Sequence, residues 1–72
     1  MGEFEFDFAE WLGNEMEQTG MTIQELADKS GLVKQTIFYY LMGDRSPSLI
    51  SFILILNAFG KRFEIVDNKK EE

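Results

Sequence analysis

The side chains that could do chemistry in this 72-residue sequence are carboxylates, hydroxyls, amides and amines, because the chain contains no His and no Cys. Imidazole chemistry, thiolate chemistry and a disulfide framework are therefore excluded. The Asp and Glu residues fall mostly on the polar faces of predicted helices. The sequence shows no Gly-rich phosphate loop, no metal-ligand cluster and no nucleophile paired with a base. We therefore expect no enzymatic activity, no metal and no cofactor.

Polar side chains able to form hydrogen bonds are concentrated in one short segment, where Lys34, Gln35 and Thr36 are followed by Tyr39 and Tyr40. The first three could simply form the solvated first turn of an amphipathic helix. One of the two adjacent tyrosines must face away from a core, because neighbouring residues of a helix point in different directions. Either ring could contact a ligand or pack at a dimer contact.

Local start signals predict the first two helices that position this segment. Asp7 and Glu10 have the spacing of an N-cap and its third helical residue, which places the start of the first helix at Phe8. Thr22 and Glu25 repeat the signal and predict a second helix over residues 23–30.

Two further helices follow. The third is predicted over residues 34–42, and the fourth begins with Ser46 as N-cap and Pro47 at the first helical position. Residues 49–59 of the fourth helix are apolar almost all round, which is more than one buried stripe requires. The glycines placed to end the four helices are Gly20, Gly31, Gly43 and Gly60.

Both termini show the alternation of apolar and polar residues that is typical of short strands. Residues 3–7 alternate Phe with acidic residues, and residues 62–67 form a similar pattern. Because a lone two-stranded ribbon is marginal in water, we favour strands that extend or exchange across a dimer axis, although pairing within one subunit stays open. The predicted fold is an all-α, four-helix domain over residues 1–72, with short N- and C-terminal β-strands and a flexible tail at 68–72.

The net charge of −6 is concentrated at the N-terminus. Residues 1–17 contain no Lys or Arg, and their acidic residues are Glu3, Glu5, Asp7, Glu10, Glu15 and Glu17. This acidic N-terminal face is either a solvated surface or a surface that binds a protein partner or mimics DNA. The longest apolar run, residues 49–59, is about half the roughly 20 residues that a membrane span needs. We expect no membrane contact and a cytoplasmic location.

The spacing of residues 22–42 resembles a known family. Two short helices joined by a Gly-containing turn form a helix-turn-helix unit, in which the second helix can enter a major groove. The detailed pattern is similar to that of the Cro/C1-type (Xre-like, lambda-repressor-like) helix-turn-helix family over residues 8–60. The residues that carry the resemblance are Thr22, Gln24, Glu25, Leu26, Ala27, Gly31, Ile37, Gly43, Ser46, Pro47, Ser48 and Leu49.

The resemblance implies that a symmetric dimer binds duplex DNA, with the third helix in the major groove. Lys suits guanine, Gln suits adenine, and Thr or Tyr can contact a thymine methyl group. The implied base contacts are Lys34, Gln35, Thr36 and Tyr39, and the implied phosphate contacts are Thr22, Gln24, Tyr40, Arg45 and Ser46. The expected dimer interface comprises Phe52, Ile55, Leu56, Phe59, Phe63 and Ile65.

The expected function is that of a sequence-specific, homodimeric repressor that occupies a pseudo-palindromic operator with half-sites about 10–10.5 bp apart. The alternative is a protein-interaction module or antitoxin that keeps the fold and binds DNA weakly or not at all. Two observations favour this alternative. One is the net charge of −6, and the other is the presence of apolar residues at usually polar family positions, namely Ile23, Val33 and Phe38.

Overall fold

The computed structural model describes residues 6–64, which form four helices and no strand. The helices are α1 (Phe8–Thr19), α2 (Ile23–Ser30), α3 (Lys34–Met42) and α4 (Leu49–Ala58). The all-α prediction is confirmed.

The predicted terminal strands are not seen in the described residues. Residues 6, 7 and 62–64 have no strand structure, while residues 3–5, 65–67 and the predicted tail 68–72 lie outside the described part. Alternation predicts a strand only where a neighbouring strand satisfies its backbone. Here the Phe6 and Phe63 rings instead pack on Phe52 of α4, with ring centroids 6.2 and 6.3 Å away.

The predicted start signals of α1 and α2 are confirmed. The Asp7 carboxylate accepts a hydrogen bond from the Glu10 backbone N–H at 3.2 Å. At α2 the Thr22 hydroxyl accepts from the Glu25 N–H at 3.1 Å, and the Glu25 carboxylate accepts from the Thr22 N–H at 2.9 Å. This reciprocal capping box satisfies two of the backbone donors that a helix start leaves open, so the boundary is set locally.

The start of α4 differs from the prediction. The N-cap is Ser48 rather than Ser46, and its hydroxyl accepts from the Ser51 N–H at 3.1 Å. Pro47 therefore lies before the helix, beside the rings of Phe6 and Phe52 along an open groove. Both serines satisfy the local capping rule, and the loop that packs next to the aromatic side chains determines which one is used.

A tight turn joins α2 to α3 and orients them as a helix-turn-helix unit. Gly31 adopts a left-handed conformation with φ of +83°, and its N–H donates to the Ala27 carbonyl at 2.9 Å. A residue with a Cβ is strained in this conformation, which explains Gly at the turn. Gly43 ends α3 in the same way, with φ of +81°.

One hydrophobic cluster holds α1, α2, α3 and α4 together in the described part of the chain. Its buried members are Leu12, Leu26, Ala27, Ile37, Tyr40 and Ile55. Within this arrangement α3 packs against both α1 and α2, and α4 packs against α2. The aromatic side chains of α1 reach α4, since the Trp11 ring lies 5.9 Å from Phe52 and 6.0 Å from Phe59. Together these contacts fix the orientation of α3, whose outer face carries the candidate site.

Candidate nucleic-acid interface

Packing divides the side chains of α3 into an inner and an outer face. Ile37 is 0% exposed and Tyr40 is 5% exposed, so both belong to the core. Lys34 and Gln35 are exposed, and Thr36 and Tyr39 are half-buried. All four predicted base-contacting residues therefore retain surface on the second helix of the helix-turn-helix unit.

Gln35 and Tyr39 form a hydrogen-bonded pair on the outer face. The Gln35 amide Nε2 donates to the Tyr39 hydroxyl Oη at 2.9 Å. The two residues are four positions apart, which is the spacing at which side chains on a helix surface meet. The bond leaves one N–H and the carbonyl oxygen of Gln35 available to another molecule.

Arg45 extends this pair from the loop after α3. Its guanidinium carbon lies 4.7 Å from the centroid of the Tyr39 ring, which is a cation–π contact. The contact holds a basic group of the loop against a side chain of the helix. We call the three connected residues Gln35, Tyr39 and Arg45 the outer array.

The residues predicted to contact phosphates differ in their exposure to solvent. Arg45 and Ser46 are exposed in the loop before α4. Thr22 and Gln24 are exposed at the start of α2, where the Gln24 amide donates to the Asp28 carboxylate at 2.9 Å. Tyr40, in contrast, packs edge-on against Phe8 in the core, with centroids 5.6 Å apart, so we do not retain it as a phosphate contact.

Most of the residues predicted to form the dimer interface are buried or half-buried within a single copy of the chain. Ile55 and Leu56 are buried in the domain's own core, so they offer no surface to a second copy. Phe52 and Phe59 are half-buried among the aromatic side chains, Phe63 is exposed, and Ile65 lies outside the described residues.

Sequence reasoning missed the most exposed apolar residues of α4. Ile50 is 71% exposed and Leu49 is 59% exposed. A helix that is apolar on every side gives no periodic signal of which face turns inward. The excess of apolar residues was the available sign that some of them would remain at the surface.

Some acidic side chains of the N-terminal face form contacts within the domain. Asp7 caps α1, and the Glu15 carboxylate lies 3.8 Å from the Lys61 ammonium beyond α4. Glu10 and Glu17 remain exposed. Residues 6–64 contain no group of three or more His, Cys, Asp or Glu side chains arranged to hold a metal ion. None of their helices has the length and apolar character to cross a membrane.

Comparison with known proteins agrees with this geometry. A family model described as helix-turn-helix matches residues 12–66, which is most of the chain. The chain belongs to the Cro/C1-type helix-turn-helix family.

A curated relative is the replication factor C small subunit of Methanocaldococcus jannaschii, which is 42% identical over 45 residues. The match covers 61% of this chain but only 2% of that protein. No solved structure matches the chain.

Proposed function

We propose that this chain is a sequence-specific repressor that binds duplex DNA as a homodimer and occupies a pseudo-palindromic operator. The observation that carries the proposal is the outer array on α3 and the loop after it, which joins an amide, a hydroxyl and a guanidinium at the exposed face of the helix-turn-helix unit. These are groups that contact base edges and phosphates. A dimer bound over a promoter would block transcription by occupancy.

Residue roles follow from position on this face. Lys34, Gln35, Thr36 and Tyr39 lie on α3 and would contact bases. The phosphate contacts would come from one segment before α3 in the chain and one after it, namely the start of α2 with Thr22 and Gln24, and the loop with Arg45 and Ser46. Phosphate contacts fix the register of the protein on DNA, and base contacts select the sequence.

Selection of bound sequences from a randomised duplex pool tests this function. We expect purified protein to enrich a two-fold motif with half-sites about 10–10.5 bp apart at low salt and at physiological salt. Failure to enrich any motif at low salt, by protein that circular dichroism shows to be folded, would contradict the proposal.

The exposed apolar side chains of α4 and the segment after it supply the proposed dimer surface. Leu49, Ile50 and Phe63 are exposed, and they replace the buried Ile55 and Leu56 of the sequence-based interface. The adjacent exposed side chains of Leu49 and Ile50 leave apolar surface that association would bury. A two-fold contact would bring each residue against the same patch of the partner.

Ile50→Asp is expected to convert the protein from a dimer to a monomer, because an unpaired carboxylate is costly to bury at an interface. Sedimentation equilibrium measures the change. Asn14→Asp is the matched control, since Asn14 is exposed on α1 rather than α4 and the substitution adds the same charge. A dimer that survives Ile50→Asp, or a wild-type protein that is already monomeric at the concentrations of DNA binding, would rule out this surface.

A protein-interaction module or antitoxin is the second candidate function. Its supporting observation is that Val33, Phe38 and Met42 are exposed at α3, close to the side chains that would contact DNA. The net charge of −6 also opposes a polyanionic partner. The exposed Glu10 and Glu17 of the acidic N-terminal face offer a complementary surface for a basic protein.

Salt dependence separates the two functions. Binding through phosphates weakens steeply as salt rises, because counterions are released from the DNA. Binding of a protein through apolar side chains changes little with salt. A partner complex that persists at high salt, combined with no DNA motif, would favour the second function.

A further inference from the structure

We propose that the N-terminal segment, residues 3–5, docks in an apolar groove beside the loop before α4 and thereby weakens DNA binding. Phe4 is the side chain that enters the groove, and Glu3 and Glu5 supply charge that opposes DNA phosphates. The described structure begins at Phe6, directly after this segment. Docking is independent of the proposed function, whereas the effect on DNA rests on it.

The groove is open, apolar and large enough for an aromatic ring. Its volume is about 330 Å³. Roughly 150 Å³ is enough to hold benzene inside a protein. The rings of Phe6, Phe8 and Phe52 line the groove together with Pro47 and Leu49. An apolar side chain placed there would cover surface that is otherwise in contact with water.

The position of Phe6 connects the N-terminal segment to this groove. The Phe6 ring lines the groove and packs on Phe52, with centroids 6.2 Å apart. In an extended chain, residues two apart point to the same side and are about 6.5–7 Å from each other. Phe4 can therefore reach the groove on the same side as Phe6, while Glu3 and Glu5 point to the opposite side.

Charge favours this groove over a second one that Phe6 also lines. The lining of the second groove includes the carboxylates of Asp7 and Glu10. These would repel the two carboxylates of the N-terminal segment, because like charges at short range raise the energy. The apolar groove has no charged residue in its lining, and the loop beside it is neutral, since Arg45 balances Asp44. The segment is therefore directed to the apolar groove.

Docking at this place would bring negative charge to the proposed phosphate contacts. Ser46 lines the groove, and Arg45 is its neighbour in the chain. Both are exposed and are assigned to DNA phosphates above. Glu3 and Glu5 of a docked segment would lie near this loop and repel the phosphates electrostatically. DNA and the docked segment thus oppose each other, which gives the acidic N-terminus an autoinhibitory role.

Nuclear Overhauser effects (NOEs) measured by NMR on the full chain test docking without DNA. We expect NOEs from the Phe4 ring to Pro47 and Ser48 of the apolar groove, and none to Asn14 of the second groove. A mixture of isotope-labelled and unlabelled chains separates contacts within one chain from contacts between copies. NOEs from Phe4 to Asn14 instead, NOEs found only between copies, or no NOE from Phe4 to the apolar groove would each overturn the docking.

Glu5→Gln and Phe4→Ala test the effect on DNA. Glu5→Gln should tighten binding to one fixed duplex at low salt by about twofold to fivefold, the size expected for one exposed charge interaction. Glu17→Gln is the matched control, because Glu17 is exposed on α1, does not line the groove and loses the same charge. It should tighten binding less. Fluorescence anisotropy measures the affinities, and circular dichroism checks that each variant keeps its helices.

Phe4→Ala should also tighten binding, because the segment loses the side chain that holds it in the groove. In the Phe4→Ala background, the effect of Glu5→Gln should fall to that of Glu17→Gln. A general effect of net charge would not depend on Phe4 in this way, since both substitutions change the charge equally.

The outcomes separate the inference from the proposed function. Equal effects of Glu5→Gln and Glu17→Gln, or an effect of Glu5→Gln that Phe4→Ala leaves intact, would overturn the autoinhibitory role and leave the proposed function standing. A folded wild-type protein and a folded Phe4→Ala variant that both bind no duplex at low salt would overturn the proposed function and the autoinhibitory role together. The NOEs would still decide the docking.

Discussion

Ile37→Ala is expected to lower the free energy of unfolding by about 2–5 kcal/mol, the range found when a large buried aliphatic side chain is truncated. Ile37 is 0% exposed and belongs to the cluster that joins α3 to the other helices. Its removal takes away apolar contact and leaves a cavity at the centre of the domain. A domain of this size has a total stability on the order of 4–11 kcal/mol, so much of it would be lost.

Urea unfolding followed by circular dichroism measures this change from the transition midpoint. Met42→Ala is the matched control on the same helix, because Met42 is 60% exposed and truncation of a surface side chain changes stability by about 0.5 kcal/mol or less. If Ile37→Ala were no more destabilising than Met42→Ala, the inner and outer faces of α3 described above would be wrong.

Gln35→Ala and Arg45→Ala are expected to damage DNA binding in different ways. Gln35→Ala should cost about 1–3 kcal/mol at one base position of each half-site and relax specificity there. Arg45→Ala should weaken binding to all sequences about equally and reduce the magnitude of the slope of log affinity against log salt by about 1, because one phosphate contact is lost. The difference arises because base edges carry sequence information and phosphates do not.

Fluorescence anisotropy on the selected operator, its single-base variants and an unrelated duplex measures both effects. Ser51→Ala is a suitable control, because Ser51 lies on α4 and is not among the residues assigned to DNA. The same loss from Gln35→Ala and Arg45→Ala at every sequence would show that the two side chains do not have separate roles.

The features that could be predicted from sequence are those decided by neighbours in the chain. The capping box of Thr22 and Glu25 and the cap formed by Asp7 involve residues three positions apart, and both are present in the structure. The helix ends at Gly31 and Gly43 depend on the conformation of one residue. For this reason the bounds of α2 and α3 agree with the prediction residue for residue.

The sequence predicted which residues belong to the candidate site but not which of their side chains contact one another. The sequence indicated that one of Tyr39 and Tyr40 must face outward but not which one. In the folded domain Tyr40 packs on Phe8, and Tyr39 is left to meet Gln35 and Arg45. The contact between Tyr39 and Arg45 crosses from a helix to a loop, so no helical periodicity could reveal it.

The sequence by itself determined the family, the four helices and the segment that carries the candidate site, because these depend on local spacing and on short-range hydrogen bonds. Tertiary structure alone decided which serine caps α4, which tyrosine enters the core, and which apolar residues of α4 remain exposed. The reason is that the two members of each pair satisfy the same local rules. The pairs are Ser46 and Ser48, Tyr39 and Tyr40, and Ile50 and Ile55. Only the packing of α3 against α1, of α4 against α2, and of the aromatic side chains between α1 and α4 distinguishes the members of each pair.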